Sequence, residues 1–253
     1  MTTLRDWLNG QLALDPRDGP DTADWLVLPQ QSLLGVVRGA VHADPDGVLA
    51  DVRERLAWYP DQVWRWLLMC QWRRIGQEEH LIGRAAEVGD ERGSRVAAAR
   101  QVRELIRLGF LIERRYWPYT KWLGTEFGTL AIADRIGPAL DQALEARNYP
   151  EREQGLCTAY EKLAAAYNAL GLTASLDTTV RPFYDRPFRV LDADRFVRAL
   201  QPTVTDPVLA GRPLIGGIDQ FVDSADVLVS AAHARAFRRV FESDPVARAR
   251  ERG

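Results

Sequence analysis

At 253 residues the chain can fold as one large domain or two small ones, and it can bury a sizeable core. Its formal charge of −2 gives no overall field favouring nucleic acid or anionic lipid. The 2 cysteines and 3 histidines stand at no zinc-ligand spacing, and no apolar run approaches the ~20 residues of a bilayer span. MTTLRDWLNG has no basic stretch followed by an apolar one, so no signal peptide is expected. The expectation is a reduced, cytoplasmic protein without membrane contact or cofactor.

In chain order, TLRDWLNGQL is a short helix candidate, and PQQSLLGVV begins with Pro29 where a helix accepts proline. GAVHADPDG reads as a strand or extended piece entering a turn. Helices dominate from Val48 to about Leu130. Tyr59-Pro60-Asp61 opens a long one over 60–88, with Val63, Trp66, Leu67, Cys70 and Leu81 on one stripe. Gly89 or Gly93 interrupts it, and Ser94 is placed to cap the next, over 94–116. Pro118 ends that helix. Two further helices fill 134–170, with a break at Asn148-Tyr149-Pro150, and the prolines of 173–190 indicate an irregular segment or an extended hairpin. Further helices follow, and the tail VARARERG reads as frayed.

The second long helix carries Arg100, Arg103, Arg107 and Arg114 within about 60° on the wheel, opposite Val102, Leu105 and Ile106. The apolar stripe of the first runs in phase into Arg74, Gln77 and Glu78 before returning to Leu81. Polar groups in a core-facing row need partners, because burial without them costs several kcal/mol. Two readings satisfy them: a structural ion-pair network, or a polar pocket between the helices with arginines aimed at an anionic group. Glu79, Glu87 and Asp90 add carboxylates nearby. At the helix end, YWPYTKWLG gathers Tyr116, Trp117, Tyr119 and Trp122 around Lys121, either as a plug sealing the bundle or as a wall of a ligand site. Arg74 and His80 show the Arg-x5-His spacing of HEPN-type ribonucleases, which one helix meets by chance.

The runs DWLVLPQQSLLGVVRGAV, the long block from Tyr59 to Phe127, YDRPFRVL and IDQFVDSADVL together resemble bacterial proteins grouped as domain of unknown function 4037. Members usually form the C-terminal part of a nucleotidyltransferase-like protein. The resemblance implies a mainly α fold, a helical bundle like the C-terminal domain of kanamycin-type nucleotidyltransferases. It also implies that residues 1–47 are the remnant of a catalytic sheet domain, with GAVHAD its last strand, and that 48–253 are the helical domain. The Gly-Ser turn and paired aspartates that hold magnesium in such enzymes are absent, and Asp192-Ala193-Asp194 opens a helix. Without them the phosphoryl chemistry has no metal cage.

The expected function is a substrate-binding helical module for a small anionic or polar ligand. Its ligand-binding candidates are Arg74, Gln77, Arg100, Arg103, Arg107, Arg114, Tyr119, Lys121 and Trp122. One alternative is a stand-alone tailoring enzyme using Glu78 or Glu87 as acid and base in the inter-helix pocket. The other is a subunit completing a separately encoded catalytic domain; a homodimer is also left open.

Overall fold

The computed structural model describes residues 2–242, and they are mainly helical. In chain order the helices are α1 (Leu4–Leu12), α2 (Thr22–Val27), α3 (Gln30–Val37), α4 (Val48–Arg55), α5 (Asp61–Glu87), α6 (Glu91–Ile112), α7 (Leu123–Phe127), α8 (Ala133–Glu145) and α9 (Tyr149–Asn168). A two-stranded hairpin follows, β1 (Arg181–Pro182) and β2 (Arg189–Val190). Then come α10 (Asp194–Leu200), α11 (Ile218–Phe221), α12 (Ala225–Leu228), α13 (Ala231–Arg235) and α14 (Arg239–Glu242). No strand forms among residues 39–47; that stretch is irregular and closes in a turn, with Gly47 N–H donating to the Asp44 carbonyl at 3.1 Å. The frayed tail expected from the sequence lies outside the described residues.

Two compact units make up the chain. Among the described residues the first consists of 2–67, Tyr116–Leu123 and 205–242. Two of its helices start where side chains satisfy the first backbone N–H groups: Thr3 with Asp6 at α1, Asp21 with Asp24 at α2, each a reciprocal capping box. An aromatic cluster of Trp25, Trp58, Tyr59 and Tyr116 packs edge-on and tilted, with ring centroids 4.9–5.8 Å apart. The Tyr116 hydroxyl donates to the Leu56 carbonyl at 3.0 Å. Gln30 ties distant segments together, since its N–H donates to Asp219 at 3.0 Å and its side-chain oxygen accepts from Trp117 N–H at 2.9 Å.

The second unit, Leu68–Arg115 with Gly124–Val204, holds α6, α8, α9, the hairpin, α10 and most of α5. Here α5 and α6 run antiparallel: Gln71 and Arg74 reach Glu104, the Gln101 amide donates to the Ile75 carbonyl at 3.4 Å, and Glu78 meets Arg100. α6 starts at Asp90, whose side chain accepts from Gly93 N–H at 2.8 Å. The expected cap, Ser94, is instead buried within the helix and accepts from the fully buried Arg152. The helix ends at Ile112, four residues before the expected Tyr116, and Arg114 turns left-handed with φ 53°. α8 and α9 pack closely because Gly155 has no side chain; a Cβ there would lie 2.6 Å from the Ala139 carbonyl oxygen. Trp72 stacks on Phe196 at 4.2 Å, and Tyr167 meets both edge-on.

Candidate functional site

Two faces of α5 organise the second unit. One face, Gln71, Arg74, Ile75 and Glu78, meets α6. At its centre stands Glu104, 1% exposed. Its Oε2 accepts from Gln71 Nε2 at 2.9 Å and from Arg74 Nε at 3.2 Å. Its Oε1 accepts from Arg103 Nε at 3.2 Å and Arg107 Nη1 at 3.3 Å. Burial pushes this carboxyl's pKa up, but Arg107, Arg74 and the Gln71 hydrogen bond outweigh it and hold the pKa below the ordinary value. Further along the same face, Glu78 pairs with Arg100 at 2.7 Å.

The sequence therefore located an ion network between the two long helices, and the structure brings together Arg74, Glu78, Arg100, Arg103 and Arg107 there. Gln77 does not join them; it is exposed, as is Arg114 beyond the end of α6. Glu87 also lies elsewhere and forms a two-oxygen pair with Arg186, both contacts at 3.1 Å. Glu104 was missed, although it precedes the buried Leu105 and sits three residues from Arg107, a spacing that shares a helix face.

Tyr119, Lys121 and Trp122 belong to the first unit. The four rings of YWPYTKWLG divide: Tyr116 and Trp117 are buried, whereas Tyr119 and Trp122 are exposed, the latter by 49%. Lys121 Nζ lies over the Trp122 ring, 5.0 Å from its centroid.

The other face of α5 was not anticipated. Gly76, Glu79, His80, Gly83 and Glu87 recur at helical spacing and receive the β1–β2 hairpin with the start of α10. His80 stacks on Phe183 at 4.9 Å with planes 12° apart, and Phe183 stacks on Phe188 at 5.5 Å. The two glycines let other groups approach: Phe188 covers Gly83, and Asp194 comes up against Gly76. Arg73 Nη1 holds Asp194 Oδ2 at 2.5 Å. The Glu79 carboxylate accepts from Leu191 N–H at 2.7 Å and from Ala193 N–H at 3.0 Å. Between these two donors Asp192 adopts φ 57°, a left-handed turn that Asp tolerates better than most residues. The turn points alternate N–H groups at one anion, as a backbone nest does.

Between this face and the hairpin lies a cleft of about 390 Å³. Glu79, His80, Arg181, Phe183, Tyr184 and Asp192 are among its lining residues. Tyr184, at the hairpin tip, is 86% exposed and has φ 54°. Burial pushes the Glu79 pKa up to about 7, against the backbone hydrogen bonds that lower it. Burial and the nearby Arg84 push the His80 pKa down, so the imidazole favours its neutral form. The arrangement offers a flat aromatic wall, a guanidinium and carboxylates around one opening, a composition suited to a small polar molecule. Among the described residues no group of His, Cys, Asp and Glu forms a metal cage. The signal in the sequence was the pair of glycines seven residues apart inside a long helix, flanking Glu79 and His80.

No helix among the described residues is long and apolar enough to cross a membrane. No curated protein and no solved structure matches the chain. The family model described as Domain of unknown function (DUF4037) matches residues 25–123, which supports the resemblance of this chain to DUF4037-type proteins.

Proposed function

We propose that the chain is a small-molecule-binding helical module, related to nucleotidyltransferases but without their metal centre, and that its ligand is a small polar molecule held in the cleft between α5 and the hairpin. The observation that supports this best is the cleft itself, about 390 Å³, with the stacked His80 and Phe183 on one side and Arg181, Asp192 and Glu79 around it. The α5–α6 network supports it less, because Arg74, Arg103 and Arg107 each already pair with Glu104. Arg74 on α5 and Arg103 and Arg107 on α6 share that one carboxylate, which links the two helices. The relation to nucleotidyltransferases rests on the sequence resemblance.

A second reading, an enzyme that runs its own reaction, is favoured by one observation. A carboxyl with pKa about 7 lines the cleft next to a histidine that favours its neutral form. Groups tuned near neutrality suit proton transfer. In that reading Glu79 takes the place of Glu78 and Glu87, which are engaged by Arg100 and Arg186.

A thermal-shift screen of small polar metabolites, with nucleotides and magnesium as one arm, tests the proposal. The expected hit raises the melting temperature of the parent protein and loses that effect in Phe183→Ala. Hits whose effect survives both Phe183→Ala and Arg181→Ala would place the ligand elsewhere and overturn the cleft assignment.

A further inference from the structure

We propose that the ligand of the cleft between α5 and the hairpin carries a flat ring with polar groups on its edge, and that Tyr184 at the hairpin tip is the side chain that stacks on it. This deepens the cleft reading above and rests on it.

Tyr184 stands where a tyrosine is costly. Arg186 N–H donates to the Phe183 carbonyl at 3.0 Å, so residues 183–186 make a tight turn with Tyr184 as its first central residue. The φ of Tyr184 is 54°, in the left-handed region. Hairpin turns with a positive φ at that place favour Gly, Asn or Asp, because a larger side chain crowds the neighbouring carbonyl there. A bulky residue held in this conformation is strained. The ring recovers little from the protein, since it is 86% exposed and meets Phe183 only edge-on, with centroids 4.9 Å apart and planes at 76°. Strain and exposure together, on a residue that lines a cleft, mark a side chain kept for what it touches outside the chain.

The ligand class follows from the surfaces around it. His80 and Phe183 lie nearly parallel, 12° between planes, while Tyr184 stands almost at right angles to Phe183. Flat surfaces therefore meet at a corner. A ring laid on one of them turns its edge to the other, and both arrangements are favourable between aromatic groups. A flexible saturated molecule of the same volume gains neither contact. The cleft, about 390 Å³, is small for a ligand site and suits one or two fused rings. Among the polar lining groups, Glu79 is committed to two backbone N–H groups and Asp194 to Arg73. The polar edge of the ring thus falls to Arg181 and Asp192. Arg181 Nη2 is held by Asp177 at 2.9 Å, which leaves its guanidinium other N–H groups to donate. Asp192 lies 3.6 Å from Arg195 and 3.7 Å from Arg198, longer than hydrogen bonds, so its carboxylate can still accept.

The test is a saturation-transfer NMR titration of the full chain. Adenine, cytosine and nicotinamide serve as ring-bearing probes, and spermidine and citrate as saturated ones. Ring-bearing probes should bind the parent and Tyr184→Phe alike, and should lose about tenfold in affinity in Tyr184→Ala, the order of one stacking contact. Tyr184→Gly should lose binding similarly while its melting temperature stays level or rises, because glycine relieves the left-handed backbone. A tyrosine that only packs the hairpin would lower the melting temperature when removed. The proposal is overturned if no ring-bearing probe binds the parent, if Tyr184→Ala binds as well as the parent, or if Tyr184→Gly melts several degrees lower. Saturated probes that bind, are lost in Arg181→Ala and ignore Tyr184→Ala would keep the cleft and remove the ring. Probes whose binding survives Arg181→Ala, Phe183→Ala and Tyr184→Ala alike sit elsewhere, which overturns the cleft reading as well.

Discussion

The Phe188 ring occupies the space where a side chain on Gly83 would begin: a Cβ at Gly83 would stand 2.4 Å from the ring's Cγ. Phe188 is buried, so it cannot move aside into solvent without losing its apolar contacts. Gly83→Ala should therefore destabilise the protein even though alanine is the better helix former by about 1 kcal/mol. Overpacking of this kind costs about 1–3 kcal/mol, and the larger consequence is an unseated hairpin. Gly10→Ala in α1, where no atom lies within 4 Å of the added carbon, is the control and should be neutral or stabilising. Melting temperatures of the two variants check this; equal shifts would mean that Phe188 does not rest on α5.

A harsher version applies at Gly155. The atoms that a Cβ would meet there are backbone, the Ala139 carbonyl oxygen at 2.6 Å and Ala143 N at 2.8 Å. A ring can rotate away, whereas α8 as a whole would have to shift. Gly155→Ala should lower the melting temperature more than Gly83→Ala, and a smaller effect would show that α8 and α9 are not in this contact.

The long helices and their antiparallel pairing were legible because their stripes are long and regular; Arg74 and Glu78 do face α6, whereas Gln77 is exposed and Gln71 reaches Glu104 instead. The hairpin face was not legible, for a physical reason. A helix interior that receives aromatic rings from a distant segment shows glycine where the contact occurs, and glycine adds nothing to an apolar stripe. Gly76 and Gly83 thus leave no mark on the stripe, and although the segment 173–190 allowed an extended hairpin, nothing in its pattern set Phe183 and Phe188 against α5. Ser94 and Asp90 illustrate a smaller ambiguity. Both are good N-caps four residues apart, and the buried Arg152 needs the Ser94 hydroxyl, which leaves Asp90 to start the helix. Glu104 was not legible because a single acid between Arg103 and Leu105 belongs to neither the arginine row nor the apolar stripe.

The exposed end of YWPYTKWLG yields a third prediction. Lys121 lies over Trp122, and both are exposed, so the charge contributes little to stability. Lys121→Met keeps the stem that covers the ring and should leave the melting temperature within about a degree of the parent. A ligand in the α5–hairpin cleft should bind Lys121→Met unchanged. Loss of that ligand in the folded variant would return this stretch to the binding site and count against the cleft.

Glu104 and Glu79, two buried acids on opposite faces of the α5 packing, should respond to pH with opposite signs. The Glu104 pKa is held below its ordinary value by Arg107, Arg74 and Gln71 despite its burial, so the unfolded chain binds the proton more tightly than the folded one. Its contribution is present above the ordinary carboxyl value and is lost as pH falls through the folded value. Glu79, raised from 4.5 to about 7, is the reverse. The folded chain holds the proton more tightly, so its contribution is fully present below pH 4.5 and is lost as pH rises to about 7. A shift of that size corresponds to about 3 kcal/mol. Urea unfolding from pH 4 to 8 should show the difference in the variants. Glu79→Gln should flatten the decline in stability between pH 5 and 7. Glu104→Gln should cost about 3–5 kcal/mol at pH 7, because Arg74 and Arg107 lose the charge that compensates their burial. Glu78→Ala should cost about 1 kcal/mol or less, since its partner Arg100 is half exposed. A Glu78 variant as damaging as the Glu104 variant would mean that the centre of the network lies one turn away from where Glu104 now stands.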